Sequence, residues 1–143
     1  MRHITNTFVL VAPDCPVETS EIPKAKPDAR PSIPRLQYEL LTESPYRYTL
    51  DDLIYEVHIR HKEIPSEELE RRGGGVRDEL LSKSHPCMRA SMLAKKYGWG
   101  VHYNEEGKLA LYPVESEEYA QFAQGKAGEI ELEVVRGMRS KRE

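Results

Sequence analysis

The sequence predicts a single α+β domain in which short helices pack on a small, mostly antiparallel sheet. Its 143 residues suit one domain and can bury a core without disulfides or metals. Short helical and short strand patterns are interleaved along the chain, and one β-hairpin is clear. This interleaving favours α+β over a doubly wound parallel sheet, so we expect one domain over residues 1–143.

Strand patterns occur near both ends of the chain and at the hairpin. Residues 6–11 are rich in β-branched and aromatic side chains, which strands favour. Residues 99–103 and 108–112 flank a polar, glycine-containing turn and are predicted to pair as the hairpin. Residues 129–134 alternate glutamate with Ile, Leu and Val, so we expect a strand with its glutamates in water.

Apolar spacing and capping residues predict the helices. Leu36, Leu40 and Leu41 share one face of a short helix that ends at Ser44. Three consecutive glycines, at 73–75, should interrupt a helix, because each costs about 1 kcal/mol relative to alanine. Further helices are expected after Ser66, Ser84 and Ser116.

The segment after Thr49 has mixed signals. Thr49 and Asp52 have the spacing of a capping box, which marks a helix start. From residue 53 to residue 59, however, Leu, Tyr, Val and Ile alternate with other side chains. Strict alternation is typical of a strand, so we predict a helical turn that leads into a strand over 53–59.

Two segments are predicted to lie outside regular structure. Residues 21–34 contain four prolines and should form an extended loop on the surface. Residues 136–143 form a basic tail, which we expect to be mobile and solvated. This tail could contact nucleic acid or an acidic partner, but it contains only four Lys and Arg residues.

Charge and hydropathy exclude several classes of function. The net charge is −3, so the domain as a whole does not attract nucleic acid or an anionic membrane. No apolar run approaches the roughly 20 residues that span a bilayer, and no signal peptide is recognisable. Cys15 and Cys87 match no disulfide or zinc pattern. We therefore expect a soluble, cytoplasmic protein with two free thiols.

Cys87 is the candidate nucleophile. It is predicted to lie in the first turn of a helix that Ser84 caps and that ends near Lys95. A helix N-terminus favours the thiolate, so the pKa of Cys87 should fall, with help from His85 and Arg89. The alternative is a small buried side chain at a helix–sheet contact, which is the more frequent role of a free cysteine.

The histidines give no clear metal site. His58 and His61 would lie together on a helix but face opposite ways on the predicted strand. His85 and Cys87 could join His102 at a zinc ion, but no ligand pair has a recognised metal spacing, so we expect no metal and no cofactor.

Glycines suggest two further ligand-binding elements. Gly98 and Gly100 flank Trp99, the only tryptophan, and could expose its indole ring to a planar or sugar ligand. The alternative is that Trp99 anchors the core where helix meets hairpin. The triple glycine lacks the strand before it and the Gly-Lys-Ser/Thr after it that a phosphate loop needs, so a flexible connector is favoured.

The chain resembles a family of small, uncharacterised bacterial and fungal proteins, described as a domain of unknown function. The resemblance covers nearly the whole chain and rests on the motifs Asn6-Thr7-Phe8, Asp14-Cys15-Pro16, Ser44-Pro45-Tyr46 with Thr49 and Asp51-Asp52, Pro86-Cys87 with Arg89 and Ser91, Lys96-Tyr97-Gly98-Trp99-Gly100, Glu105-Glu106-Gly107-Lys108, Glu115-Ser116-Glu117-Glu118-Tyr119 and Met138-Arg139-Ser140-Lys141-Arg142. It implies no activity and no catalytic residues. The family pattern includes the tail but neither His85 nor the triple glycine.

The leading functional hypothesis is a non-enzymatic ligand-binding or interaction domain. Its expected site is a groove between the Cys87 helix and the hairpin, near Arg89, Tyr97, Trp99 and His102. The first alternative is an enzyme or redox protein that uses Cys87, although spacing specifies no general base. The second is weak binding of nucleic acid or an acidic partner through the tail. The partner would be a small molecule or protein, and homo-oligomer formation is left open.

Overall fold

The computed structural model describes residues 4–25 and 30–140, which form an α+β fold around a four-stranded sheet. In chain order, the strands are β1 (Thr7–Leu10), β2 (Trp99–Tyr103), β3 (Leu109–Pro113), β4 (Lys126–Ala127), β5 (Ile130–Glu131) and β6 (Glu133–Arg136). The main sheet has the order β3-β2-β1-β6, and β4 pairs separately with β5. Only the β1–β6 pairing in the main sheet is parallel, so the predicted fold class is confirmed.

Short helices surround this sheet. In chain order, they are α1 (Ile33–Glu43), α2 (Leu50–His61), α3 (Ser66–Arg72), α4 (Gly75–Leu81), α5 (Met92–Lys95) and α6 (Glu117–Ala123), with a 3₁₀ turn at Met88–Ala90. The predicted glycine interruption separates α3 from α4, and Ser116 caps α6 as expected. Within the described ranges, no helix is long and apolar enough to cross a membrane.

Alternation along β2 divides the core between the two faces of the sheet. Val101 and Tyr103 are fully buried against α1, α2 and α5. Gly100 and His102 point to the opposite face, where α6 packs. A Cβ atom on Gly100 would lie 2.6 Å from Phe8 and 2.7 Å from Tyr119, so this position requires glycine. The predicted hairpin of β2 and β3 is confirmed.

The predicted strand over residues 53–59 is wrong, because this segment is the middle of α2. Thr49 and Asp52 form a complete capping box, which fixes the helix start. Leu50, Leu53 and Val57 are the buried residues of α2, and their spacing of three and four residues is helical. The same residues satisfy both the alternation of a strand and the spacing of a helix. Packing against α1 favours the helix.

The predicted helix from Ser84 through Lys95 is also wrong. Residues 83–87 are irregular, and Cys87 precedes the 3₁₀ turn rather than lying inside an α-helix. Ser91 has extended backbone angles, and its hydroxyl accepts a hydrogen bond from the Leu93 amide, so a new helix begins there. The predicted helix N-terminus at Cys87 is therefore absent.

The strand and the tail that were predicted near the C-terminus have different boundaries in the structure. The expected strand over 129–134 divides at buried Leu132 into β5, which pairs with β4, and β6, which pairs with β1. Arg136 is the last residue of β6, so the predicted tail begins too early. The amide of Met138 donates to the Arg89 carbonyl at 2.7 Å, and the amide of Ser140 donates to the Asp14 carboxylate at 2.9 Å. Residues 141–143 lie outside the described residues.

The predicted proline-rich loop over 21–34 is shorter than expected, because Ile33 and Pro34 open α1. Pro23 is fully buried, and its carbonyl accepts a hydrogen bond from Arg35 at 2.9 Å. The described part of this segment therefore packs on its own chain. Residues 26–29, including Pro27, lie outside the described residues.

Candidate functional site

A cavity of about 670 Å³ lies between α1, α2 and residues 85–92. Most of its wall is apolar. The described lining residues are Ser32, Ile33, Pro34, Gln37, Leu50, Leu53, Ile54, Val57, His58, His61, Lys62, Leu80, His85, Pro86, Cys87, Met88, Ala90, Ser91 and Met92. Such a volume falls in the range of about 300–1,000 Å³ that is typical of small-molecule sites.

One stripe of α2 forms the longest wall of this cavity. Leu50, Leu53, Ile54, Val57, His58 and His61 all line it. Their spacings of three and four residues place them on a single helix face, apolar at the start and polar at the end. Arg77 of α4 contacts another part of α2, where it pairs with Asp52 at 2.8 Å and lies over the Tyr55 ring.

Residues 85–92 form the opposite wall. The amide of Met88 donates to the buried Tyr103 hydroxyl at 3.2 Å, which fixes the segment to the sheet. The Ser91 hydroxyl donates to the Gln37 amide oxygen at 2.6 Å, which connects it to α1. At the mouth, Ile33 and Met92 remain 47% and 37% exposed, so the cavity has an apolar rim as well as an apolar floor.

Three histidines lie at the polar end of the cavity. Burial lowers the pKa of His58, and electrostatic interactions with Lys62, His85, His61 and Lys83 lower it further. Nδ1 of His61 is shielded from solvent and has no hydrogen-bond partner among the described residues. Nε2 of His85 lies 2.7 Å from the Leu80 carbonyl, which can only accept, so this nitrogen carries the proton.

A second depression of about 460 Å³ shares Leu50, His85 and Cys87 with the cavity. Lys83 belongs to its wall. Among the described residues, no three His, Cys, Asp or Glu side chains are grouped closely enough to hold a metal ion. The cavity is therefore best described as an apolar pocket with a basic, hydrogen-bonding end.

Of the residues predicted from sequence, Cys87 lines this cavity and Trp99 does not. The Trp99 ring is 8% exposed, its indole N–H donates to the Glu21 carbonyl at 2.8 Å, and it meets Tyr38 edge-on. The main chain of Tyr97 accepts a hydrogen bond from the Glu21 amide at 2.8 Å. Glu21, at the start of the proline-rich segment, thus contacts both Tyr97 and Trp99. Gly98, next to Trp99, allows close packing, because a Cβ atom there would lie 2.9 Å from Val17.

Arg89 and His102 lie outside this cavity and apart from each other. The exposed Arg89 guanidinium donates to the Arg136 carbonyl at 2.7 Å, which attaches the 3₁₀ turn to β6. His102 is buried on the opposite face of the sheet from Trp99, with Nδ1 2.8 Å from the Tyr46 hydroxyl. The structure therefore does not bring Arg89, Tyr97, Trp99 and His102 together around one groove.

The histidines at the end of α2 were missed as a site because their segment was predicted to be a strand. The signal was present in the spacing of His58 and His61, which coincide on a helix face but not on a strand. The full capping box at Thr49 was the observation that favoured the helix. His85 lies near these histidines because of the path of the irregular segment after α4, and no local sequence pattern predicts that path.

Sequence comparisons agree with the resemblance stated above. Searches of curated proteins and of solved structures gave no significant match, so neither supplies an activity or a related fold. A family model does match, and its match extends over residues 1–143. Because this match covers the full length of the sequence, the chain belongs to the family of unknown function DUF6157.

Proposed function

We propose that the protein is a non-enzymatic binding domain that takes a small apolar molecule into the cavity between α1, α2 and residues 85–92. The observation that supports this proposal is the cavity itself, an apolar pocket of about 670 Å³ within the fold. The exposed Ile33 and Met92 at its mouth add apolar surface that a ligand would remove from water.

The test is binding of a neutral, apolar fluorescent probe, N-phenyl-1-naphthylamine, to the full chain. We expect saturable binding at one site. Ala90→Phe places a ring at the cavity wall and should reduce affinity by about tenfold or more, the equivalent of about 1.4 kcal/mol. Ala120→Phe, at an exposed position on α6, adds the same ring elsewhere and should leave affinity unchanged.

Two results would contradict the proposal. One is the absence of saturable binding by a chain that unfolds cooperatively. The other is an equal loss of affinity in both alanine variants, which would place the probe outside the cavity. Melting curves of each variant show whether a loss of binding follows from a loss of structure.

A Cys87-dependent enzyme or redox protein is the second candidate. It is favoured by one observation, that the half-buried Cys87 thiol lines the same cavity as three histidines. It ranks second because no hydrogen bond among the described residues joins the Cys87 sulfur to a base. The free thiols of Cys15 and Cys87 also support a cytoplasmic location, where cysteines stay reduced.

A further inference from the structure

We infer that the ligand of this cavity is an amphipathic acid, whose apolar chain fills the floor and whose anionic group binds beside His58, His61 and His85. This inference rests on the proposed function and adds the chemical class of the ligand. It is carried by the unequal distribution of charge around the cavity and by the apolar remainder of the wall.

The cavity wall has the opposite charge balance to the whole chain. The chain contains 24 Asp and Glu against 21 Lys and Arg. None of the described lining residues is Asp or Glu, whereas Lys62 and three histidines line the cavity, and Lys83 lines the neighbouring depression. An anion at this end would therefore meet attraction without an opposing carboxylate on the wall.

The basic groups converge from two separate elements. His58, His61 and Lys62 follow one another at the C-terminal end of α2, with spacings of three and four residues from His58. His85 and Lys83 come from the segment after α4, and after burial they contribute to the lowered pKa of His58. Basic side chains from two chain segments thus lie near His58, at the end of the stripe where the apolar residues stop.

Hydrogen-bonding side chains at this end of the cavity can meet an anion. Nδ1 of His61 is shielded from solvent and has no partner among the described residues, so a ligand in the cavity would meet the rest of this ring and not that nitrogen. Nε2–H of His85 is engaged by the Leu80 carbonyl, so its Nδ1 can donate to a carboxylate only when the ring is doubly protonated. A carboxylate at this end would also accept from the Lys62 ammonium.

The end of α2 also has a partial negative charge of about half a unit, which disfavours an anion. The full positive charge of Lys62 exceeds it. Arg60, in the same helical turn, pairs with Glu56 at 3.5 Å and does not line the cavity. Arg60 therefore serves as the helix-stabilising cation, and His58 and His61 remain available for the cavity.

The experiment compares two ligands with the same chain length, octanoate and octan-1-ol, by displacement of N-phenyl-1-naphthylamine from the full chain at pH 7. We expect octanoate to bind about tenfold more tightly than octan-1-ol, and acetate not to bind. The variant with His58→Gln, His61→Gln and Lys62→Gln should lose this preference and keep its affinity for octan-1-ol. Arg60→Gln, in the same turn, is the matched control and should retain the preference.

Wild-type protein provides a second measurement that does not depend on any variant. A bound carboxylate favours the protonated form of His58, whose pKa is held low in the free protein first by burial and then by Lys62, His85, His61 and Lys83. Binding therefore takes up protons, and the preference for octanoate should increase as the pH falls from 8 to 6. A carboxyl group with a pKa of about 4.3 stays ionised over this range, and octan-1-ol binding should stay constant.

The outcomes separate the two proposals. Equal affinity for octanoate and octan-1-ol, at every pH, overturns the acid inference and leaves the apolar-ligand proposal intact. Failure of both ligands and of the fluorescent probe overturns both. Binding to phosphatidylglycerol vesicles in the absence of octanoate binding would also overturn the inference, because it would identify a lipid surface as the source of the anionic group.

Discussion

Two histidine sites on opposite faces of the sheet differ in how fully their polar atoms are satisfied. His102 is 6% exposed, has its Nδ1 2.8 Å from the Tyr46 hydroxyl, and stacks on Phe122 with ring centroids 4.8 Å apart. Tyr46 in turn lies 2.6 Å from the Tyr112 hydroxyl. His61, at the cavity, has a buried Nδ1 without a partner among the described residues.

The contrast separates a structural polar cluster from a candidate binding site. Burial lowers the pKa of His102, so the ring stays neutral and works as a packed, hydrogen-bonded core group. Burial also raises the pKa of Tyr46, with the Tyr112 hydroxyl adding to the shift, so both partners are uncharged. No comparable hydrogen-bonded network is found among the cavity histidines in the described part of the chain, and their side chains line an open pocket that a ligand can enter.

The largest expected effect is the loss of the His102 ring. His102→Ala removes a buried ring stacked on Phe122 and leaves the Tyr46 hydroxyl without that partner. The free energy of unfolding should fall by about 2–4 kcal/mol, measured by urea denaturation. His58→Ala, at the cavity, is the matched variant and should cost much less. Equal losses at the two positions would remove the distinction between them.

The next largest effect is expected from removing the Tyr46 hydroxyl, which lies between His102 and Tyr112. Tyr46→Phe keeps the ring but removes the oxygen between His102 and Tyr112. We expect a loss of about 1–2 kcal/mol in the free energy of unfolding. Tyr48→Phe is the control, because the Tyr48 hydroxyl has no hydrogen bond to any described residue. An unchanged stability of Tyr46→Phe would show that the cluster contributes packing alone.

At the cavity, we expect a substitution to increase the free energy of unfolding. His61→Leu replaces a buried, unpaired nitrogen with apolar atoms, so the free energy of unfolding should rise by about 1 kcal/mol. Chemical denaturation at pH 7 measures this, and octanoate affinity measured on the same sample should fall. A clear destabilisation would mean that His61 is already satisfied in the folded chain and is part of the structure.

The smallest effect concerns the ion pair that holds α4 against α2. Partial burial raises the pKa of Asp52, but hydrogen bonds from Thr49 and the Arg77 guanidinium outweigh it, so the net pKa is lowered. Its stabilisation is present above the unfolded value of about 3.9 and is lost as the pH falls through the lower, folded pKa.

Both partners of this pair are more than a third exposed, so solvent screening limits its contribution to about 0.5 kcal/mol. Asp52→Asn should therefore be slightly less stable than the wild type at pH 7 and should lose less stability on acidification below pH 4. Thermal melts between pH 2.5 and pH 7 test this. Parallel acid dependence in the two proteins would contradict the assignment.

Local signals predicted the elements whose caps and turns agree with their packing. The hairpin, the leucine face of α1, the glycine break between α3 and α4, and the Ser116 cap all follow from neighbouring residues. The α2 segment was ambiguous because it satisfies both a period of two and a helical spacing. The Thr49 capping box and contact with α1 and α4 together favour the helix.

The candidate site was harder to predict, since it depends on contacts between distant segments. Cys87 was identified, but for a helix N-terminus that the structure lacks. Trp99 was expected beside a groove, and its cover comes from Glu21, 78 residues away in sequence. The meeting of His58 with His85 depends on how α2 lies against the segment after α4, and no local pattern encodes this arrangement.

The most direct test of the central claim, that the cavity is a ligand site, uses the two cysteines as reporters. Cys87 lines the cavity, whereas Cys15 lies outside it. The rate of alkylation by iodoacetamide would be measured by mass spectrometry at each cysteine, with and without saturating octan-1-ol. We predict that octan-1-ol slows alkylation of Cys87 several-fold and leaves Cys15 unchanged. Equal rates at Cys87 with and without octan-1-ol would contradict the claim.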